Sequence, residues 1–271
     1  MLKIRKSAKQ IAWVSSFVLA ISIMAFGFFT VWGTTVFDEF MFFAAIVAFT
    51  PPTIINYIDY KWKREIDEHL PDLFRSIVQA QETGMTLPRA LEEAAKRDFG
   101  PLTVELRKMN TQISWGMTLD EALIAFAKRV NTFLVQRTIP LIIEANRSGG
   151  HVERVFDPMG KFVQSTLILH KERRNRTRPY IAIIYVAFFV FLFTIVLLFK
   201  SFFVEIKGLS MLGTAVMASA EIKRLFFHMT AIQGFFGGLV AGKMGEGAIS
   251  AGLKHSLVMM ICGYLAIKLF L

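Results

Sequence analysis

Formal charge is scarce in this sequence, and it is missing altogether from several long stretches. Of the 271 residues, 19% are charged and 54% are hydrophobic, whereas soluble domains average about 25% charged residues. No Asp, Glu, Lys or Arg stands between Lys9 and Asp38, in residues 40–58, or in residues 179–199. A helix of about 20 apolar residues spans the hydrocarbon core of a bilayer. The composition therefore excludes an ordinary soluble domain and predicts an integral membrane protein.

Cysteine and the motifs of common catalytic sites are also nearly absent. Cys262 is the single cysteine, so an internal disulfide is excluded, and we interpret this residue as a small packing side chain. The sequence contains no G-x-S-x-G and no H-E-x-x-H, and its five histidines show no paired spacing for zinc. We therefore predict no catalytic residue, no metal site and no cofactor.

One stretch comes within a residue of the phosphate-binding pattern G-x-x-x-x-G-K-[ST]. The stretch is GGLVAGKM, residues 237–244, in which Met244 replaces the hydroxyl that would bind magnesium. The pattern binds phosphate only where it follows a buried strand, and no strand-like alternation precedes it here. Instead, Gly234, Gly238 and Gly242 recur at every fourth residue, a spacing that lets two membrane helices approach closely. We predict that these glycines pack helices and that the chain binds no nucleotide.

Basic residues cluster beside the apolar runs. The clusters are Lys3, Arg5, Lys6 and Lys9 before the first run, and Lys171, Arg173, Arg174, Arg176 and Arg178 before the third. Lys and Arg are enriched on the cytoplasmic side of membrane spans, whereas residues 32–39 carry Asp38 and Glu39 but no basic residue. We expect a multi-pass protein of the cytoplasmic membrane, with the N-terminus inside and residues 32–39 outside. The second cluster suits anionic lipid or an acidic partner protein. The net charge of +10 could suggest nucleic acid, but the basic residues lie beside the spans, so we predict no nucleic-acid partner.

The charge pattern divides the chain into three parts. Residues 1–58 hold two N-terminal transmembrane helices, and residues 59–178 form a cytoplasmic helical domain of a size that supports its own core. Residues 179–271 form a C-terminal transmembrane region with a third span, an external segment near residues 205–224 and a Gly-rich helical hairpin. We predict an all-α integral membrane protein with about five transmembrane helices and a helical bundle between spans 2 and 3.

Two local features of the membrane segments are predicted as well. Pro51 and Pro52 should break or kink the second span near its end, because proline lacks the N–H that the helix needs. The last hairpin should turn at residues 243–249, where an ion pair between Lys243 and Glu246 would close it. A re-entrant pair of helices, in place of two full spans, stays open for this hairpin.

Two segments of the helical domain repeat each other. They are TGMTLPRALEEAAKR, residues 83–97, and WGMTLDEALIAFAKR, residues 115–129, and a weaker third copy starts at Ser148. Internal periods of this size indicate stacked helical hairpins. The apolar residues of each copy recur at helical spacing. We therefore predict a bundle of five or six helices.

The residues that the two copies share are of types that are typical of helix ends. Gly84 and Gly116 suit the left-handed residue that ends a helix. Thr86 and Thr118 suit the N-cap of the next helix. Thr118 and Glu121 together fit the capping box T-x-x-E. These four capping positions are predicted to be structural.

The order of these segments resembles a known family. Two membrane spans, a helical domain with G-x-[TS]-L-x-x-A-L turns and a long apolar span are similar to the type II secretion system F domain family. Its members are the membrane platform proteins of type IV pili, secretion systems and archaella. The tail GFFGGLVAGKMGEGAISAGLKHSL, residues 234–257, is similar to the ending of the archaeal members.

The resemblance implies a non-enzymatic platform that couples a cytoplasmic motor ATPase to the assembly of pilin- or archaellin-like subunits. Many archaeal platforms carry two F domains where this chain shows one, so the chain is either a half-length form or needs to dimerise, and we expect a homodimer. The alternative function is a small membrane transporter with a polar site in the last two spans, because ionisable residues at membrane depth are functional candidates. Its candidate residues are His228, Lys243, Glu246 and His255. No inverted repeat supports a transporter, and the platform is favoured.

Overall fold

The protein is described by a computed structural model over residues 6–31, 35–147, 153–207, 214–247 and 249–270. Within these ranges all regular secondary structure is α-helical, which confirms the predicted all-α class. Helices α1, α2, α7, α8 and α9 are long and apolar enough to cross a membrane, in agreement with the five predicted spans. The helices are α1 (Lys6–Val31), α2 (Thr35–Glu82), α3 (Leu87–Ala94), α4 (Pro101–Ser114), α5 (Leu119–Val130), α6 (Phe133–Arg147), α7 (Glu153–Lys207), α8 (Thr214–Glu246) and α9 (Ile249–Phe270).

The described residues form two compact units. Residues Ile58–Arg173 form the first unit, called here the helical domain, and the described residues of 4–57 and 174–271 form the second, the membrane unit. The chain passes from one unit to the other within α2 and again within α7, since both helices continue across the division. The predicted domain limits at residues 58 and 178 stay predictions, as does the side of the membrane.

Large apolar side chains from α2 to α7 build the core of the helical domain. They recur every three or four positions along each helix, which places them on one face. Phe74, Phe126 and Phe156 are at most 2% exposed, and the ring centroids of Phe74 and Phe156 lie 5.6 Å apart. Burial of one such side chain stabilises the fold by about 1.5–3 kcal/mol. This core holds the repeat-bearing helices in place.

The two repeat copies turn in the same way. Gly84 follows α2 with a φ of 85°, and Gly116 follows α4 with a φ of 93°, a conformation that glycine adopts at little cost because it has no Cβ. The N–H of the following residue, Met85 or Met117, bonds to the carbonyl five positions earlier. This is the hydrogen bond of a Schellman motif, and it satisfies a carbonyl at the helix end.

The caps of the two copies differ. Thr118 Oγ1 accepts a hydrogen bond from the N–H of Glu121 at 3.3 Å, and the Glu121 carboxylate accepts one from the N–H of Thr118 at 3.2 Å, which forms a capping box. Thr86 is also an N-cap with an extended backbone, but its side chain makes no capping hydrogen bond. Arg89 stands where the other copy has Glu121, so no carboxylate at this position can accept a hydrogen bond from the N–H of Thr86.

The break that the sequence predicts at the double proline is wrong. Both Pro51 and Pro52 lie inside α2, which is helical from Thr35 to Glu82. Thr50 and Thr53 flank the prolines, and their hydroxyls donate to carbonyls one turn earlier at 2.7 and 2.6 Å. Side-chain hydroxyls and neighbouring helices allow proline to stay within a membrane helix.

The expected external loop is wrong at its end, since Asp38 and Glu39 lie near the start of α2. Parts of several other predicted features lie outside the described residues. They are Lys3 and Arg5 of the first basic cluster, residues 32–34 of the loop, Ser148 to residue 152 of the third repeat copy, and residues 208–213 of the external segment. The remainder of that segment belongs to α7 and α8.

Candidate functional site

The basic cluster that was predicted to bind a partner lies on two faces of one helix. All five of its residues belong to α7, where successive residues are about 100° apart around the axis. Lys171, Arg174 and Arg178 therefore share one face, and this face continues to Ile181. The Ile181 side chain lies against Gly245 near the end of α8. Arg174 is half-buried, and its Nε is shielded without a hydrogen-bond partner.

Arg173 and Arg176 lie on the other side of α7 and are exposed. By the same helical spacing they share a face with the exposed apolar side chains of Phe162 and Leu169. The sequence could not separate the two sets, because the five residues are close together along the chain. The helix places Arg173 and Arg176 on the apolar face of Phe162 and Leu169, whereas Lys171 and Arg178, which are also exposed, lie on the other face.

Helices α8 and α9 meet along the three predicted glycines, a contact called here the glycine seam (Gly234, Gly238 and Gly242). A Cβ at position 238 would overlap the backbone nitrogen of Ser256, and one at position 242 would overlap the backbone of Gly252. A Cβ at position 234 would lie 3.2 Å from the nearest backbone nitrogen, which a small shift can relieve. The backbones of the two helices therefore touch at Gly238 and Gly242, as in other small-residue membrane contacts.

The stretch that resembles a phosphate loop is part of this seam. Residues 237–244 are helical throughout and lie inside α8. A phosphate loop needs free backbone N–H groups directed at the ligand, whereas these N–H groups belong to the interior of a helix. Lys243 is exposed and has no carboxylate partner among the described residues.

A buried carboxylate joins α2 to α8 within the membrane unit. The Asp38 side chain is 5% exposed, and its carboxylate contacts the Arg224 guanidinium at 2.5 and 3.0 Å. The His228 ring nitrogen Nε2 lies 3.4 Å from the same carboxylate. Sequence reasoning placed Asp38 in the external loop of residues 32–39 and missed this contact. The sequence offered only a general indication of this contact, because a charge at the end of an apolar run needs a partner.

Glu39 makes a second set of polar contacts near the start of α2. The Lys268 ammonium lies 3.3 Å from its carboxylate, and the Tyr264 hydroxyl donates to that carboxylate at 3.3 Å. The Tyr264 hydroxyl also accepts from Lys268 at 2.9 Å. These contacts connect α2 to the end of α9.

The prediction that Lys243 and Glu246 form the ion pair of the hairpin is wrong for Lys243. Glu246 pairs with Lys254 of α9, and α8 and α9 are separated by a short turn that includes Gly247. A contact across the hairpin is possible because α9 runs back along α8, so that a residue eight positions away comes close. Lys254 also lies 5.0 Å from the centre of the Tyr57 ring.

The polar side chains of the last two spans do not converge on one site. His228 contacts Asp38, Glu246 contacts Lys254, and the His255 ring lies 3.0 Å from the Tyr185 hydroxyl. Among the described residues, no group of three or more His, Cys, Asp or Glu could hold a metal ion. Each contact joins two helices. The polar groups therefore hold helices together and do not form a common binding site for a transported substrate.

These features define a multi-pass helical membrane protein with a helical domain inserted between its second and third apolar segments. The family model for type II secretion system (T2SS) protein F matches residues 73–199, which is most of the helical domain and the first part of the membrane unit that follows it. Residues 73–199 thus form a domain of the type II secretion system F family, and the resemblance seen in the sequence is confirmed.

A second protein is similar to the whole chain. An uncharacterized protein of Methanocaldococcus jannaschii is 24% identical over 278 aligned positions, which cover 100% of this chain and 45% of the relative. The chain therefore spans about half the length of the curated relative it matches. No solved structure matches the chain.

Proposed function

We propose that this protein is a non-enzymatic platform in the cytoplasmic membrane that couples a cytoplasmic motor ATPase to the assembly of pilin- or archaellin-like subunits. The observation that carries the proposal is the F domain over residues 73–199. Purification from the native membrane, followed by identification of co-purifying proteins, tests it directly. A motor ATPase and filament subunits are expected, and a transported solute without either protein would contradict the platform.

Two continuous helices support the coupling part of the proposal. Both α2 and α7 pass from the helical domain into the membrane unit without a break in the helix. A helix resists bending over a few turns, because each residue is held by hydrogen bonds to its neighbours one turn away. A displacement of the helical domain by the motor would therefore be passed to the membrane helices.

The proposed orientation has the N-terminus and the helical domain in the cytoplasm. It is supported by the Lys and Arg residues beside the first and third apolar runs. Single cysteines at Thr35 and at exposed Lys128, in a chain with Cys262→Ala, can be labelled in intact cells with an impermeant reagent. We expect labelling at position 35 alone. Labelling at position 128 alone would show that the orientation is the opposite of the one proposed.

The motor is proposed to dock on the basic residues of α7, chiefly on Arg173 and Arg176. Charges of one sign steer an oppositely charged partner and make its association sensitive to salt. The double variant Arg173→Gln/Arg176→Gln should lose co-purification with the motor and lose filaments, once normal insertion has been shown. The matched control Arg174→Gln/Arg178→Gln removes the same charge from the other face of α7 and should keep the motor bound. Capture at wild-type strength by the first variant would exclude Arg173 and Arg176 from docking.

Two further parts of the proposal concern nucleotide and oligomeric state. Lys243→Ala should leave ATP turnover by the assembled machine intact, because this lysine is not a phosphate ligand. Magnesium-dependent ATP binding by the purified chain, abolished in the variant, would contradict that expectation.

The proposed homodimer can be checked by light scattering on the detergent-solubilised protein.

A further inference from the structure

An exposed apolar groove runs between α6 and α7 of the helical domain. Its volume is about 610 Å³, and its walls include Arg137 and Leu141 of α6 and Val155, Pro158, Met159 and Phe162 of α7. Leu141 is 55% exposed and Phe162 is 48% exposed. Lipid explains exposed apolar side chains in the membrane unit, but the helical domain is proposed to lie in water. Contiguous apolar surface in water marks an interaction site.

One cation stands at the edge of this groove. The Arg137 guanidinium lies 4.6 Å from the centre of the Phe133 ring, and Phe133 is itself 58% exposed. Arg137 forms no ion pair with any residue that the structure describes. A guanidinium held over an aromatic ring keeps its planar N–H donors available for a carboxylate. The groove thus combines an apolar floor with an available positive charge.

The α7 wall of the groove leads to the basic cluster. Phe162, Leu169 and Arg173 are separated by seven and four residues, which places them on one face of α7. Leu169 is 65% exposed, so this face is apolar beside the groove and basic at Arg173. All three residues belong to the helical domain.

We propose that this groove is the docking site for an amphipathic helix of the motor ATPase, whose carboxylates pair with Arg137 and Arg173. The proposal rests on the proposed function, because it names the surface through which the platform binds the motor. A third helix can pack between two helices at an axial separation of about 8–10 Å, with its apolar side chains in the groove. The described part of the helical domain has no strand edge to which an extended peptide could add.

The charge of the groove favours a different protein over a second copy of this chain. The chain carries a net charge of +10. A second copy would therefore, on balance, bring charge of the same sign to Arg137 and Arg173, and juxtaposed like charges disfavour association. A partner helix with acidic residues has no such conflict.

The test measures binding of the full-length platform to the co-expressed motor after extraction in detergent. Phe162→Ser and Arg137→Glu should each weaken motor binding by about tenfold or more, as expected for residues central to an interface. Arg137→Lys keeps the charge and should retain most of the binding. Trp115→Ser is the matched control, since Trp115 is an 84% exposed aromatic residue at the turn between α4 and α5. It should bind the motor normally.

A photo-reactive residue at position 141 identifies what occupies the groove. We expect a cross-link to an acidic amphipathic helix of the motor, and replacement of its acidic residue by Arg should restore binding to Arg137→Glu. Cross-linking to a second copy of this chain would overturn the proposal and identify the groove as a dimer interface. Wild-type binding by both groove variants would overturn it while leaving the platform function intact. Absence of motor binding by the wild-type chain would overturn both.

Discussion

The helical domain and the membrane unit are stabilised by different kinds of contact. In the helical domain, large side chains such as Phe74 and Phe126 fill a core that is closed to solvent. In the membrane unit, α8 and α9 touch through their backbones at Gly238 and Gly242. A charged pair, Asp38 and Arg224, joins α2 to α8.

The surroundings explain the difference. Water drives large apolar side chains into a common core, because burial removes apolar surface from contact with water. Lipid tails are as apolar as the side chains, so burial against another helix contributes no comparable driving force. Close backbone packing and polar contacts between helices then become more important. The four predictions below test this contrast, from the largest expected effect to the smallest.

The largest effect is expected at the glycine seam. Gly238→Leu should separate α8 from α9, because the new side chain would overlap the backbone of Ser256. We expect most of the folded protein to be lost, as measured by the monodisperse fraction in detergent. Gly234→Ala is the control, since its Cβ would lie 3.2 Å from the backbone of α9 and should be tolerated. Equal yields of both variants would show that the seam is not a close contact.

The next effect is expected in the core of the helical domain. Phe126→Ala should lower the free energy of unfolding by about 3–5 kcal/mol, through lost burial and a residual cavity. Trp115→Ala removes a larger but 84% exposed side chain and should change stability by about 0.5 kcal/mol or less. Chemical denaturation followed by circular dichroism measures both. A comparable loss in the two variants would mean that Phe126 is not a core residue.

A smaller effect is expected at the buried charge of the membrane unit. Arg224→Met leaves the Asp38 carboxylate buried without its partner, which should cost about 3 kcal/mol. The double variant Asp38→Asn/Arg224→Met removes both charges and should recover part of that loss. Thermal unfolding in detergent measures the difference between the two. Lys268→Met removes the more exposed partner of Glu39 and should cost at most about 1 kcal/mol.

The smallest effect is expected at the repeat turns, where the two copies can be compared directly. Thr118→Ala removes a capping box and should cost about 1 kcal/mol. Thr86→Ala should cost clearly less, because the Thr86 side chain makes no capping hydrogen bond. Denaturation midpoints of the two variants test this difference. A larger loss of stability in Thr86→Ala than in Thr118→Ala would contradict the assignment of the capping box to Thr118.

Sequence patterns predicted the features that depend on neighbours along the chain. Long apolar runs, most of them free of formal charge, predicted five apolar helices, and these are confirmed. The capping box depends on Thr118 and Glu121, which are three positions apart, so it was visible as a motif. The error at Pro51 and Pro52 had a local cause as well, because proline propensity ignores the hydroxyls and packed helices that keep α2 intact.

Tertiary structure alone decided the features that join distant parts of the chain. Asp38 and Arg224 are 186 positions apart, and no pattern in the sequence selects one of the available cations as the partner. Glu246 was assigned Lys243 by its spacing, whereas the fold brings Lys254 to it across the hairpin. The groove beside Arg137 likewise exists only where α6 and α7 come together. Local propensities act over one or two helical turns, while these contacts depend on how whole helices pack.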